Sequence, residues 1–108
     1  MLKGLSESAI DLNFAIESLK EEIIAVNDYN QRAEIVSDPE LKEILMHHRN
    51  EEMEHTAMLI EWIRRNNGTF GKEIQEYLFI KEGIVSKEEE NIHEEKISSI
   101  SLNIGSLK

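Results

Sequence analysis

Apolar residues recur along the first third of the chain at alternating steps of four and three. Leu5, Ala9, Leu12, Ile16, Leu19, Ile23, Val26 and Ala33 follow this rhythm, with Asn30 the one interruption, and the stretch from Ser6 to about Val36 holds neither Gly nor Pro. That spacing places the apolar side chains on one stripe of an α-helix. At Ser37-Asp38-Pro39-Glu40 the chain meets a proline suited to a first helical turn, with Ser37 or Asp38 able to cap it and Glu40 placed to close a capping box. A second helix is predicted from Pro39 to about Asn66, with Leu41, Leu45, Leu59 and Trp62 on its seam. Basic Arg64-Arg65 suit its negative end, and Asn66-Asn67-Gly68 suits a left-handed stop. Two helices of similar length, each roughly 40 to 45 Å at about 1.5 Å per residue, joined by a tight turn, form an antiparallel hairpin.

Gly68-Thr69-Phe70-Gly71 breaks the rhythm, and Lys72 to Phe79 then offers a short third helix through Ile74, Tyr77 and Leu78. From about Glu82 the chain becomes acidic and poor in large apolar groups, which predicts a solvated linker over 82–100, with Ser86-x-x-Glu89 the one signal for a frayed helix. Leu102, Ile104 and Leu107 return in a Gly- and Ser-spaced octapeptide at 101–108, a composition suited to a docking peptide. The expected organisation is thus a helical domain over 1–81, a linker over 82–100 and the octapeptide.

A chain of 108 residues has room for one domain, and its 6% aromatic content supplies little bulk for a self-sufficient core, so association with further copies is expected. The net charge of −10 repels a phosphate backbone and attracts cations, which argues against nucleic acid as a partner. With no cysteine, thiolate metal sites and thiol catalysis are excluded, and histidine and carboxylates remain as ligands. No apolar run approaches the roughly 20 residues of a membrane span, and Met1 to Ser8 is too short and mixed for a signal peptide. A cytoplasmic protein without a membrane partner is the default expectation.

The informative part of the second helix is the line Leu41, Leu45, His48, Glu52, His55, Leu59, Trp62, where three ionisable residues occupy positions otherwise aliphatic. Burying an unpaired carboxylate costs several kcal/mol unless a partner or a metal compensates. Glu52 and His55 form Glu-x-x-His, which sets an oxygen and a nitrogen ligand on one helix face, as carboxylate metal sites in helical bundles require. A turn centred near residue 37 or 38 brings 52–55 opposite 20–23, where Glu22 sits beside the seam with Ser18 and Ala25 leaving space. Tyr29, two turns further along that face, is within reach of the same cavity through its hydroxyl. A di-metal bundle site needs two lone Glu residues and two Glu-x-x-His pairs from four helices. One chain has half of this set, so a two-fold dimer would complete it. Carboxylate oxygen with one imidazole suits iron or manganese.

The same residues admit a plainer reading, in which Glu52 and His55 pair with each other in a metal-free hairpin. His48 is either a further ligand or a packed, hydrogen-bonding residue. His47, Glu51 and Glu54 repeat a helical line one residue over, but share it with Glu40, Glu61 and Arg65, so a solvated face competes there with a peripheral cation site or a contact between dimers.

Glu21-Glu22, Tyr29-Asn30-Gln31-Arg32, Asp38-Pro39-Glu40-Leu41, Arg49-Asn50-Glu51-Glu52-Met53-Glu54-His55 and Glu61-Trp62-Ile63-Arg64-Arg65-Asn66 together resemble the encapsulated ferritins. The resemblance spans about residues 10 to 85 with five motifs in register, and 101–108 resembles the peptide by which cargo docks inside encapsulin nanocompartments. The resemblance implies a ferritin-like four-helix bundle built by two chains, arranged as an annular decamer of five dimers. It implies a ferroxidase whose di-iron centre (Fe²⁺/Fe³⁺) forms between chains, with Glu22, Glu52 and His55 as ligands and Tyr29 beside the metals. Storage of the oxidised iron falls to the surrounding encapsulin shell in the cytoplasm. It also implies an outer uptake site around Glu21, where Ile24 and Asp28 replace an expected Glu and Trp. The candidate residues for a secondary site, for Ca²⁺ or another divalent cation, are Glu21, Asp28, His47, Glu51 and Glu54.

Overall fold

The computed structural model of the chain describes residues 4–106, with side chains up to residue 100. Among the described residues there are four helices and no strand: α1 (Glu7–Ile35), α2 (Pro39–Asn66), α3 (Gly68–Tyr77) and α4 (Ile84–Ser106). The chain divides into two compact units, Met1–Lys72 and Glu73–Lys108.

In the first unit α1 and α2 form the expected antiparallel hairpin, packed along their length. Ser6 caps α1, its hydroxyl accepting from the Ala9 amide at 3.2 Å, and the Val36 amide closes the other end on the Arg32 carbonyl. Asp38 caps α2, with Oδ2 accepting from the Leu41 amide at 2.8 Å and Pro39 in the first turn. With Asp38 as the cap, Glu40 falls one position short of the capping-box site, so that expected bond is not made.

The packing seam differs from the periodicity on alternate positions. The half-buried or buried line on α1 runs through Leu12, Ala15, Leu19, Glu22, Val26, Tyr29 and Ala33, with Ser18, Ala25 and Asp28 half-buried beside it, and on α2 through Leu45, Arg49, Glu52, Thr56, Leu59 and Ile63. Ile16, Ile23 and Leu41 of the expected stripe stand exposed, as do His48 and Trp62. Each helix therefore carries an apolar stripe wider than a two-helix contact covers, as helices with two neighbours in a bundle do. In the hairpin only Ala15, Ala33 and Ile63 are fully buried, while Phe14, Ile24 and Met58 each keep more than half of their surface exposed.

The end of α2 departs from the expected left-handed stop. Asn67 is extended (φ −135°, ψ 110°); its amide closes α2 on the Ile63 carbonyl while its Oδ1 accepts from the Phe70 amide at 2.8 Å. One asparagine thus ends α2 and starts α3, four residues earlier than Gly68 and Gly71 suggested. Gly71 lies inside the helix because a Cβ there would meet the Arg64 carbonyl oxygen at 2.5 Å. Glycine permits this close approach of backbone to backbone.

In the second unit the segment expected as a linker over 82–100 is helical from Ile84 onward, within α4, and begins two residues before the Ser86-x-x-Glu89 signal. The residues from Ile84 to Ile104 include no Gly or Pro and carry five Glu, so no breaker interrupts a helix there even without a continuous apolar face. Asn91 Nδ2 donates to Glu76 Oε2 at 2.9 Å, tying α4 to the end of α3. Phe79 has φ 63° and is fully exposed, a left-handed residue two positions past the end of α3 where glycine is the usual occupant. Of the octapeptide at 101–108, the backbone as far as Ser106 belongs to α4. Its side chains and its last two residues lie outside the described residues.

Candidate metal centre

Glu22 enters the site from the middle of α1, in the seam between Leu19 and Val26; Glu52 and His55 enter from α2, one turn apart. The three offer ligand atoms that all lie within 4.8 Å of one another, the arrangement that Glu-x-x-His spacing and the hairpin centre predicted. His55 Nδ1 stands 3.4 Å from Glu52 Oε2 and 3.6 Å from Glu22 Oε2. Both separations exceed the 2.7 to 3.2 Å of a good N–H···O bond. Glu22 Oε2 is buried and accepts no hydrogen bond from any protein group. A dehydrated carboxylate oxygen without a donor is costly, and a cation between the two acids and the imidazole removes that cost. On this observation the donor set fits a divalent metal: two hard oxygens and one nitrogen suit iron, manganese or zinc, with no thiolate to favour a closed structural zinc site.

The backbone around the site is well held. Thr56, one turn beyond Glu52, donates its hydroxyl to the Glu52 carbonyl oxygen at 2.8 Å. Glu22 and Glu52 side chains are about one-quarter exposed, whereas His55 is 46% exposed, so the cluster is closed by the hairpin on one side and open on the imidazole side.

The remaining expected residues fall elsewhere. Tyr29 is half-buried and packs on His48, with ring centroids 5.3 Å apart. His48 thus stands against an aromatic ring and does not belong to the acid–imidazole group. His47 Nε2 pairs with Glu51 Oε1 at 2.8 Å on an exposed surface. Glu21 and Glu54 are exposed and Asp28 is half-buried; none of these, nor His47 or Glu51, joins a group of three metal-ligating side chains among the described residues.

Two contacts near the site were not read as such in the sequence. Arg49 lies half-buried in the α2 seam and donates from Nη1 to Asn30 Oδ1 at 3.0 Å, linking the two helices, and the Arg32 guanidinium lies over the Tyr29 ring at 5.4 Å from its centroid. The signal for the second was present as an i,i+3 pair on one helix face.

The EncFtn-like family profile matches residues 1–81. The chain is 42% identical over 87 residues to an encapsulated ferritin-like protein of Rhodospirillum rubrum, a match covering 81% of this chain and 62% of that protein, so the chain spans under two-thirds of that relative's length. It is 49% identical over 76 residues to a ferritin-like protein of Thermotoga maritima, covering 70% of this chain and 67% of the relative. Among solved structures, protein ne0167 of Nitrosomonas europaea superposes with a TM-score of 0.74 at 50% identity, over 78% of this chain and 92% of that one.

Proposed function

Because the chain belongs to the EncFtn-like family, we propose that it is a ferroxidase, an encapsulin cargo that oxidises Fe²⁺ with O₂ at a centre shared by two subunits. The observation that carries this reading is the buried Glu22 Oε2 without a hydrogen bond, facing His55 and Glu52 in one cluster. Glu22, Glu52 and His55 bind the substrate iron, and a two-fold mate supplies the same three residues to a second ion. Two Fe²⁺ ions give one electron each, and O₂ accepts both. The chain's acidic surface draws Fe²⁺ toward the centre, and the ligands hold it where the developing Fe³⁺ charge meets two carboxylates.

Dimerisation covers the exposed edge of the apolar stripe, including Ile16, Ile23 and Trp62, and completes a ferritin-like four-helix bundle; five dimers form an annular decamer. Such a ring oxidises iron without enclosing a cavity, and an encapsulin shell, reached through residues 101–108, retains the product. Truncation after Ser101 is expected to abolish co-purification with a co-expressed shell while leaving the oxidation rate unchanged.

The deciding experiment is an anaerobic Fe²⁺ titration followed by air, watched by absorbance and an oxygen electrode. Saturable Fe²⁺ binding with oxygen uptake well above buffer supports the reading. Binding without faster uptake makes the protein a metal carrier, and no binding makes it a structural hairpin. A variant shown by sedimentation to be monomeric is expected to be inactive.

A further inference from the structure

One heptad toward the turn from the metal cluster, the hairpin holds a second layer that crosses between the helices. In the cluster Glu22 of α1 meets His55 of α2. Seven residues on in α1 is Tyr29 and seven back in α2 is His48, and their rings meet at a centroid separation of 5.3 Å and an interplanar angle of 66°. In an antiparallel pair, opposite shifts of one heptad preserve the facing partners and move about 10 Å along the axis. The T-shaped geometry sets the edge of one ring toward the face of the other, the arrangement that ring quadrupoles favour. Arg32, one turn on from Tyr29, adds its guanidinium 5.4 Å from the Tyr29 centroid. On its own helix Tyr29 has Ala25 and Ala33 four residues to either side. These give a phenol ring little lateral support, and beside Val26 the groups placed against the ring are Arg32 and the imidazole from the opposite helix.

We propose that His48 is a positioning residue for Tyr29: with Arg32 it clamps the ring one heptad from the acid–imidazole cluster, so that the aromatic layer is set before iron binds. The effect on turnover rests on the ferroxidase reading together with the place beside the metals that the family resemblance implies for Tyr29; the clamp rests on the ring geometry alone. His48 is exposed at its outer side and is no part of the ligand group, so its replacement leaves the iron ligands in place.

The test uses the full-length protein labelled with fluorotyrosine, with Tyr29→Phe distinguishing the Tyr29 signal from that of Tyr77, the one other tyrosine. Ring flipping is read by fluorine NMR, and Fe²⁺ oxidation by steady-state kinetics. His48→Ala is expected to speed Tyr29 ring flipping and to lower kcat several-fold with KM for Fe²⁺ unchanged, and His48→Phe, which retains a planar ring, is expected to restore both. Unchanged ring flipping in His48→Ala, or failure of His48→Phe to restore it, overturns the clamp. A faster ring with unaltered kcat, or a loss confined to KM, overturns its role in turnover. A wild-type protein that oxidises no iron removes the ferroxidase reading, and ring flipping still decides the clamp.

Discussion

Glu22 on α1 and His55 on α2 stand 3.6 Å apart across the hairpin, and the carboxylate oxygen that makes this approach is buried without a hydrogen bond. The metal-free protein therefore bears an electrostatic cost at the centre of its helix contact. Replacing this residue with an apolar one of similar size extends the Leu19 and Val26 seam and removes the cost, about 1–3 kcal/mol for an unsatisfied buried group. Glu22→Leu should accordingly raise the melting temperature of the protein in chelator and abolish the further rise produced by Co²⁺. Calorimetry with and without the ion measures both, and a lower melting temperature of the variant in chelator would refute the account.

Glu52 and His55 are supplied one turn apart on α2, and neither is a seam apolar whose loss opens a cavity. Glu52→Ala and His55→Ala should each remove most Fe²⁺-dependent oxygen uptake while leaving helical circular dichroism unchanged. Wild-type uptake in either variant, with metal occupancy unaltered by elemental analysis, would exclude these residues as ligands.

Gly71 sits where a methyl group would press on the Arg64 carbonyl oxygen. Backbone on both sides leaves no flexible side chain to move aside, so Gly71→Ala should destabilise the protein by about 1–3 kcal/mol, the usual range for overpacking. Urea unfolding reads the change, and an unchanged midpoint would show that α3 can shift to accept the methyl group.

Glu61 accepts from Arg64 Nε at 2.6 Å, from Arg64 Nη2 at 2.8 Å and from Arg65 Nε at 2.7 Å. The hydrogen bonds from Arg64 and then Arg65 lower its pKa from 4.5 to about 2. A depressed carboxyl pKa contributes stability that is complete above the unfolded value and lost as pH falls through the folded one. The advantage of wild type over Glu61→Gln should thus be present at neutral pH, shrink below about 4.5 and vanish near 2. High salt should also reduce it, since the network is solvent-accessible. Melting curves across this range provide the check.

The start of α2 was legible because Asp38 and Pro39 serve local geometric needs, a cap acceptor and a preset first-turn φ, that few residue types meet. The closeness of the three side chains was legible for a related reason: an i,i+3 pair and a hairpin centre suffice to bring Glu22, Glu52 and His55 to one height. The phase of the seam was not. Glu22 and Ile23, or His48 and Arg49, compete for neighbouring positions on stripes wider than one contact, and periodicity alone cannot tell which edge faces the helix within the chain. The start of α3 was hidden because glycines read as breakers, whereas at Gly71 the glycine answers to a carbonyl seven residues earlier. The helix at 84–106 was obscured by its charge, which signals solvation and is equally compatible with a helix.

The turn between α1 and α2 is only three residues, 36–38, and so acts as the origin from which both arms are counted. Glu22 and His55, like Tyr29 and His48, share one midpoint, between residues 38 and 39 at the start of α2. One residue inserted in one arm between the turn and the cluster would turn its ligand by about 100° and advance it by about 1.5 Å, taking it off the shared face. Length variation in these arms is therefore quantised: they can grow or shrink only by near-whole numbers of turns, such as about seven or eleven residues, and in matched pairs, without separating the acids from the imidazole.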